Sequence, residues 1–139
     1  MFRRKELPEE LQPVEAAFAR VLEQLEPAKV AITDVLPSTR MPGRPLSDAL
    51  DEYDRRLTSA SELMPEWRHP AVEAEWAACR EGLAAALALT RRARVEAPDV
   101  IGFEGMLGLV EELLDPLDPF AEAEERFRRL RSRGTRPGR

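Results

Sequence analysis

Asp48, Asp51 and Asp54 recur at every third position, with Glu52 among them. On a helix that spacing gathers carboxylates on one side, and carboxylates are the hard oxygen donors that hold Mg²⁺ beside a phosphorylated ligand. Arg40 and Arg44 stand just upstream, around Met41-Pro42-Gly43. A proline-stiffened loop there would offer two guanidinium groups to a phosphate or carboxylate. These five residues make the candidate ligand site: a small-molecule or phosphoryl-ligand bundle, in its enzymatic version a Mg-dependent hydrolase. The plainer reading is a solvated helix start, since carboxylates also complement the positive pole of a helix N-terminus. In a chain that is 34% charged, further acidic pairs such as Glu23/Glu26 and Glu112/Asp115 are expected by composition.

Gly102, Gly105 and Gly108 follow the same period. No strand precedes them and no Gly-Lys-Ser/Thr follows, so they do not form a phosphate loop. Each glycine in a helix costs about 1 kcal/mol relative to alanine. The expected offset is close packing of another helix against them, with the alanine-rich stretch 84–89 as the partner.

Other constellations are thinner. Glu66-x-x-His69 has the spacing of carboxylate-bridged metal bundles, but it lies between Pro65 and Pro70, and His69 is the sole histidine. A Cys–His nucleophile would have to pair Cys79 with His69, and Cys79 falls on an apolar stripe where a buried thiol is ordinary. No catalytic residue, metal or cofactor is therefore expected. Residues 126–139 carry seven arginines and no acid, whereas residues 1–125 carry 14 basic against 26 acidic side chains. The basic end has nucleic-acid-like charge, but no recognition-helix pattern accompanies it and the acidic body would repel a polyanion. That argues for a segment folded onto an acidic surface and against a nucleic-acid partner.

Helices must position all of these groups. Ala, Leu, Glu and Arg supply 75 of 139 residues, all good helix formers. No stretch alternates as a half-buried strand requires. Leu11, Val14, Phe18, Val21, Leu25, Ala28, Ile32 and Val35 step by three and four through four heptads. The seam keeps phase across Pro27, which favours one kinked helix from about Pro8 to Leu36 over two helices meeting at Glu26-Pro27. Pro37 to Pro45 breaks the chain, and Ser47 is the expected N-cap of a second helix over 48–64 with Leu50, Tyr53, Leu57, Ala60 and Met64 inward. A third helix runs from Pro70 to Glu96 on Val72, Trp76, Cys79, Leu83, Ala86 or Leu87, and Thr90. Its Ala84–Leu89 stretch is apolar nearly all round, so the helix is expected to be central and well covered. A fourth helix presents Phe103, Met106, Leu107, Val110, Leu113, Leu114 and Leu117. A fifth covers 119–132, with Phe120, Phe127 and Leu130 inward.

These readings combine into an all-α fold: an up-and-down antiparallel helical bundle of four long helices plus a short C-terminal fifth helix. Residues 1–133 form one domain and 134–139 a disordered basic tail. With no long apolar run and no secretory leader pattern, a cytoplasmic chain without a membrane partner is expected. Trp67, Phe2 and Leu109 fall off the stripes and suggest an apolar surface patch. The functional expectation is a non-enzymatic protein-interaction or regulatory module, acting on a protein partner or on a second copy of itself as a homodimer.

Overall fold

A computed structural model of the chain describes residues 6–96 and 102–134, with side chains as far as Arg131. The described residues form five α-helices: α1 (Gln12–Thr33), α2 (Leu46–Leu63), α3 (Glu73–Glu96), α4 (Phe103–Leu114) and α5 (Pro119–Gly134). Short 3-10 turns precede α1 and α3 and follow α2 and α4. Strands are absent among the described residues. The fold is an all-α helical bundle.

Helix α1 runs through Pro27 without a break. Leu25 and Ala28, on either side of the ring, are both fully buried, so the missing hydrogen bond does not disturb the phase of the seam. All eight seam residues from Leu11 to Val35 are buried. α2 returns antiparallel to α1. Arg56 near its middle reaches Gln24 at 3.2 Å, and Glu66 beyond its end meets Arg20 of the first half of α1 at 2.8 Å. α3 turns back again: Trp76 at its start donates its indole N–H to the Met64 carbonyl at 2.8 Å, while Arg94 near its end meets Asp54 at 3.0 Å.

The last two helices act as one broken rod antiparallel to α3. Leu89 and Ala93 lie against α4, Gly82 against the Pro116 turn, and the Ala71 carbonyl accepts from Arg126 of α5 at 3.4 Å. Phe18 of α1 packs on Phe127 and Phe120 of α5 at 5.1 and 6.2 Å, which closes the bundle.

Several expectations change in detail. Ser47 is not the N-cap of α2. The helix starts at Leu46 with Pro45 as its flanking residue, because the Pro45 carbonyl already accepts from Ala49 at 3.1 Å. α4, at 12 residues, is the shortest helix, and α5 has 16. Gly134 ends α5, while 135–139 lie outside the described residues. The alanine-rich middle of α3 is not covered all round: Ala84, Ala85 and Ala88 are exposed. Trp67 is no surface residue; it is fully buried, edge-on to Phe18 at 4.7 Å, with its N–H on the Met64 sulfur at 3.1 Å. Leu109 is half-buried, and Phe2 lies outside the described residues.

No helix among the described residues is long and apolar enough to cross a membrane. Every buried side-chain nitrogen or oxygen among them has a hydrogen-bond partner. Thr90, the buried polar side chain of α3, bonds back to the Ala86 carbonyl at 2.6 Å.

Candidate functional site

Asp51 and Asp54 of α2 face α3, and arginines meet them there. Asp54 accepts from Arg91 at 3.4 Å and from Arg94 at 3.0 Å, and Asp51 pairs with Arg94 at 2.8 Å. Asp48, one turn earlier, is exposed. The triplet is thus an interhelical ion-pair ladder over much of its length, with its charge compensated by the same chain. Glu52 belongs to another face and pairs with Arg55 and Arg56.

Arg40 and Arg44 occupy the α1–α2 loop. The Met41 N–H donates to the Ser38 hydroxyl at 3.1 Å, and the Arg44 N–H to the Asp34 carbonyl at 2.7 Å. Gly43 packs so closely on the end of α1 that a Cβ would overlap the Val35 carbonyl. The loop is therefore anchored, with Arg40 exposed at its tip and Arg44 half-buried at its base. No hydrogen bond or ion pair among the described residues joins either guanidinium to Asp48, Asp51 or Asp54. The five residues proposed as one ligand site are not brought together by such contacts.

The remaining constellations have structural occupations. Glu66 pairs with Arg20, and His69 Nδ1 accepts from the Ala71 N–H at 3.0 Å, capping the turn into α3. Cys79 is fully buried. Burial, then the charges of Glu75 and Glu122, pushes its thiol up to about 12, so it stays protonated and inert. Among the described residues no three His, Cys, Asp or Glu side chains are grouped to hold a metal ion. Two arginines of α5 turn inward, Arg131 to Glu15 of α1 and Arg126 to the Ala71 carbonyl, while Arg128 is exposed and pairs with Glu125 of its own helix.

At Gly102 and Gly108 the glycine spacing does not mark close helix packing. A Cβ on Gly102 or Gly108 would meet nothing within 4 Å, so no helix packs against either. The spacing identifies a side of α4 but not what faces it. The close approach occurs instead at Gly82 of α3, where a Cβ would overlap the Pro116 carbonyl oxygen.

What Gly105 and Gly108 border is an open cleft of about 530 Å³ between α4 and the last turns of α3. Leu89, Ala93 and Leu109 supply its apolar lining, Gly105 and Gly108 its flattest part, and Arg92, Glu96 and Glu112 its charged groups. Phe103 is 56% exposed, Leu107 37% and Val95 85%. α4 was expected to bury a broad apolar face, yet within the helix only Val110 and Leu113 are buried. Its second half is held by the core and by Tyr53; its first half presents large apolar side chains to solvent. Scattered exposed apolar residues are ordinary, but Phe103 and Leu107 stand one turn apart on the side of α4 opposite the cleft and form an exposed apolar pair. A signal for it was present in the sequence, because the apolar positions of α4 cover more of the helix than one neighbour can bury.

Two smaller clefts lie elsewhere among the described residues. One of about 400 Å³ lies between α1 and α5, over Ala16, Ala19 and Phe127. The other, about 300 Å³, lies between α2 and α3, over Trp76 and Leu83.

No family model matches the chain, nor does any curated protein or solved structure.

Proposed function

We propose that this chain is a non-catalytic helical-bundle module of the cytoplasm that works by docking a protein partner. The observation that carries the reading is the unpartnered first half of α4: Phe103 and Leu107, one turn apart on the same side of the helix, are both exposed. Burying a large apolar side chain contributes about 1.5–3 kcal/mol, so a helix that leaves two such groups outside its own core offers that stabilisation to a second surface. The rest of the bundle is a well-satisfied scaffold for it, which suits a site built on rigid elements.

The ligand-binding alternative has less support, because two of its three aspartates are engaged by Arg91 and Arg94. Nucleic-acid binding through α5 would compete with the contacts that Arg126 and Arg131 make to the rest of the bundle.

The test is the double substitution Phe103→Ser, Leu107→Ser, followed through purification from the source cell under gentle conditions. A docking face predicts an unchanged fold and the loss of co-purifying protein. If the variant keeps every companion of the wild-type chain, docking lies elsewhere and this reading fails.

A further inference from the structure

We infer that the first half of α4, residues 103–109, is a strap that opens from the bundle as one unit while the second half of the helix stays docked. The opening belongs to the free chain and does not depend on the docking reading.

A helix of 12 residues, the length of α4, is marginal on its own in water, so packing must hold it. Gly105 and Gly108 fall in its first half, and glycine loses the most backbone freedom on being ordered. Gly102 flanks the start and no side chain caps it, so the first amides gain no acceptor there.

Packing compensates little over 103–109. Met106 and Leu109 are half-buried against the core, and Phe103, Glu104, Gly105, Leu107 and Gly108 are exposed. Both flanks are open. The cleft runs along the Gly105, Gly108 and Leu109 side, and Phe103 and Leu107 stand on the other. Among the described residues no side-chain hydrogen bond, ion pair or ring contact ties this segment to another element.

The second half is the reverse. Val110 and Leu113 are buried, and so is Leu117 in the turn beyond. The Leu113 carbonyl accepts from the Tyr53 hydroxyl at 2.7 Å, and the Pro116 carbonyl lies against Gly82. The change from loose to fixed therefore falls between Leu109 and Val110. A segment that is costly to order and makes few buried contacts is the kind that opens below the global unfolding free energy. Opening frees Met106 and Leu109 and uncovers Leu89 and Ala93 of α3. The strap thus sets how much apolar surface this end of the bundle shows.

Native-state hydrogen exchange of the full chain, followed by NMR at increasing urea, is the test. The amides of 106–109 donate the i→i−4 bonds inside the strap. They are expected to share one level of protection, at least about a hundredfold below amides in the middle of α2. Their urea dependence should be weaker, because less surface is exposed. Gly108→Ala should raise all four together, by about fourfold. Tyr53→Phe should lower protection in α2 and leave 106–109 unchanged, because the bond it removes persists when the strap opens. Protection that climbs residue by residue from 106 to 109 is end fraying and overturns the inference. Protection equal to that of α2 overturns it too. So does a fall at 106–109 in step with α2 in Tyr53→Phe, which would put the second half of α4 in the moving unit. The docking reading stands or falls separately, on the double serine variant.

Discussion

The Tyr53 hydroxyl donates to the main-chain carbonyl of Leu113 at 2.7 Å, across 60 positions of sequence. Both residues are fully buried. The bond fastens the second half of α4 to α2 and marks where the helix passes from core to open surface. It also satisfies a buried phenol whose deprotonation burial opposes. Tyr53→Phe removes the donor and leaves a buried carbonyl short of a partner. The expected cost is about 1–3 kcal/mol, read as a lower urea midpoint at unchanged m-value.

Glycine positions should split in sign. Gly82→Ala drives a methyl group into the Pro116 carbonyl, and backbone cannot yield as a side-chain tip can. It should destabilise by about 1–3 kcal/mol. Gly108→Ala, inside α4 with open space around it, should stabilise by about 0.5–1 kcal/mol through helix propensity. Thermal melts of the two variants side by side check the pair.

Much of the scaffold was legible because it is written in period. The α1 seam survives Pro27, and the stripe of α3 from Val72 to Thr90 is buried as spaced. What failed lay outside periodic reasoning. Trp67 sits in a 3-10 turn, where no helical stripe applies, and became the aromatic centre of the core. Gly82 is one glycine among alanines, and nothing local says that a turn from residue 116 will press on it. The Asp48, Asp51 and Asp54 spacing was real, but its partners Arg91 and Arg94 come from another helix, a pairing that only the tertiary fold discloses. The candidate docking face was half visible: α4 was plainly too apolar for one neighbour, but which half stays open depends on where Tyr53 and Val110 anchor it.

The ion-pair ladder yields a salt-dependent prediction. Asp54→Asn should cost about 0.2–1 kcal/mol at low ionic strength, because the arginines it meets are largely exposed, and the difference should shrink as salt screens them. Asp48→Asn should be neutral. Added Mg²⁺ should shift the melting of neither variant relative to the other. A Mg²⁺-dependent gain specific to wild type would restore the aspartates as a binding site.

Alkaline stability follows from Cys79 and Tyr53. Burial raises both in the folded state, Cys79 to about 12, whereas an unfolded thiol ionises near pH 8.5. Above that value the unfolded chain releases protons that the folded chain retains. Stability is therefore full below about pH 8.5 and should decline as pH rises toward 12, by at most about 1.4 kcal/mol per pH unit for each group. Urea midpoints at successive pH values should fall, and Cys79→Ala should flatten the part of the slope that begins first.

The central claim is that the chain works through the open face of α4, and site-specific photo-crosslinking in the source cell tests it most directly. A photoreactive amino acid would replace Leu107 in one variant and Asp48, on the remote start of α2, in another. The account predicts a discrete adduct with one other protein at position 107 and none at position 48. An adduct at 48 alone, or identical products at both positions, would contradict it.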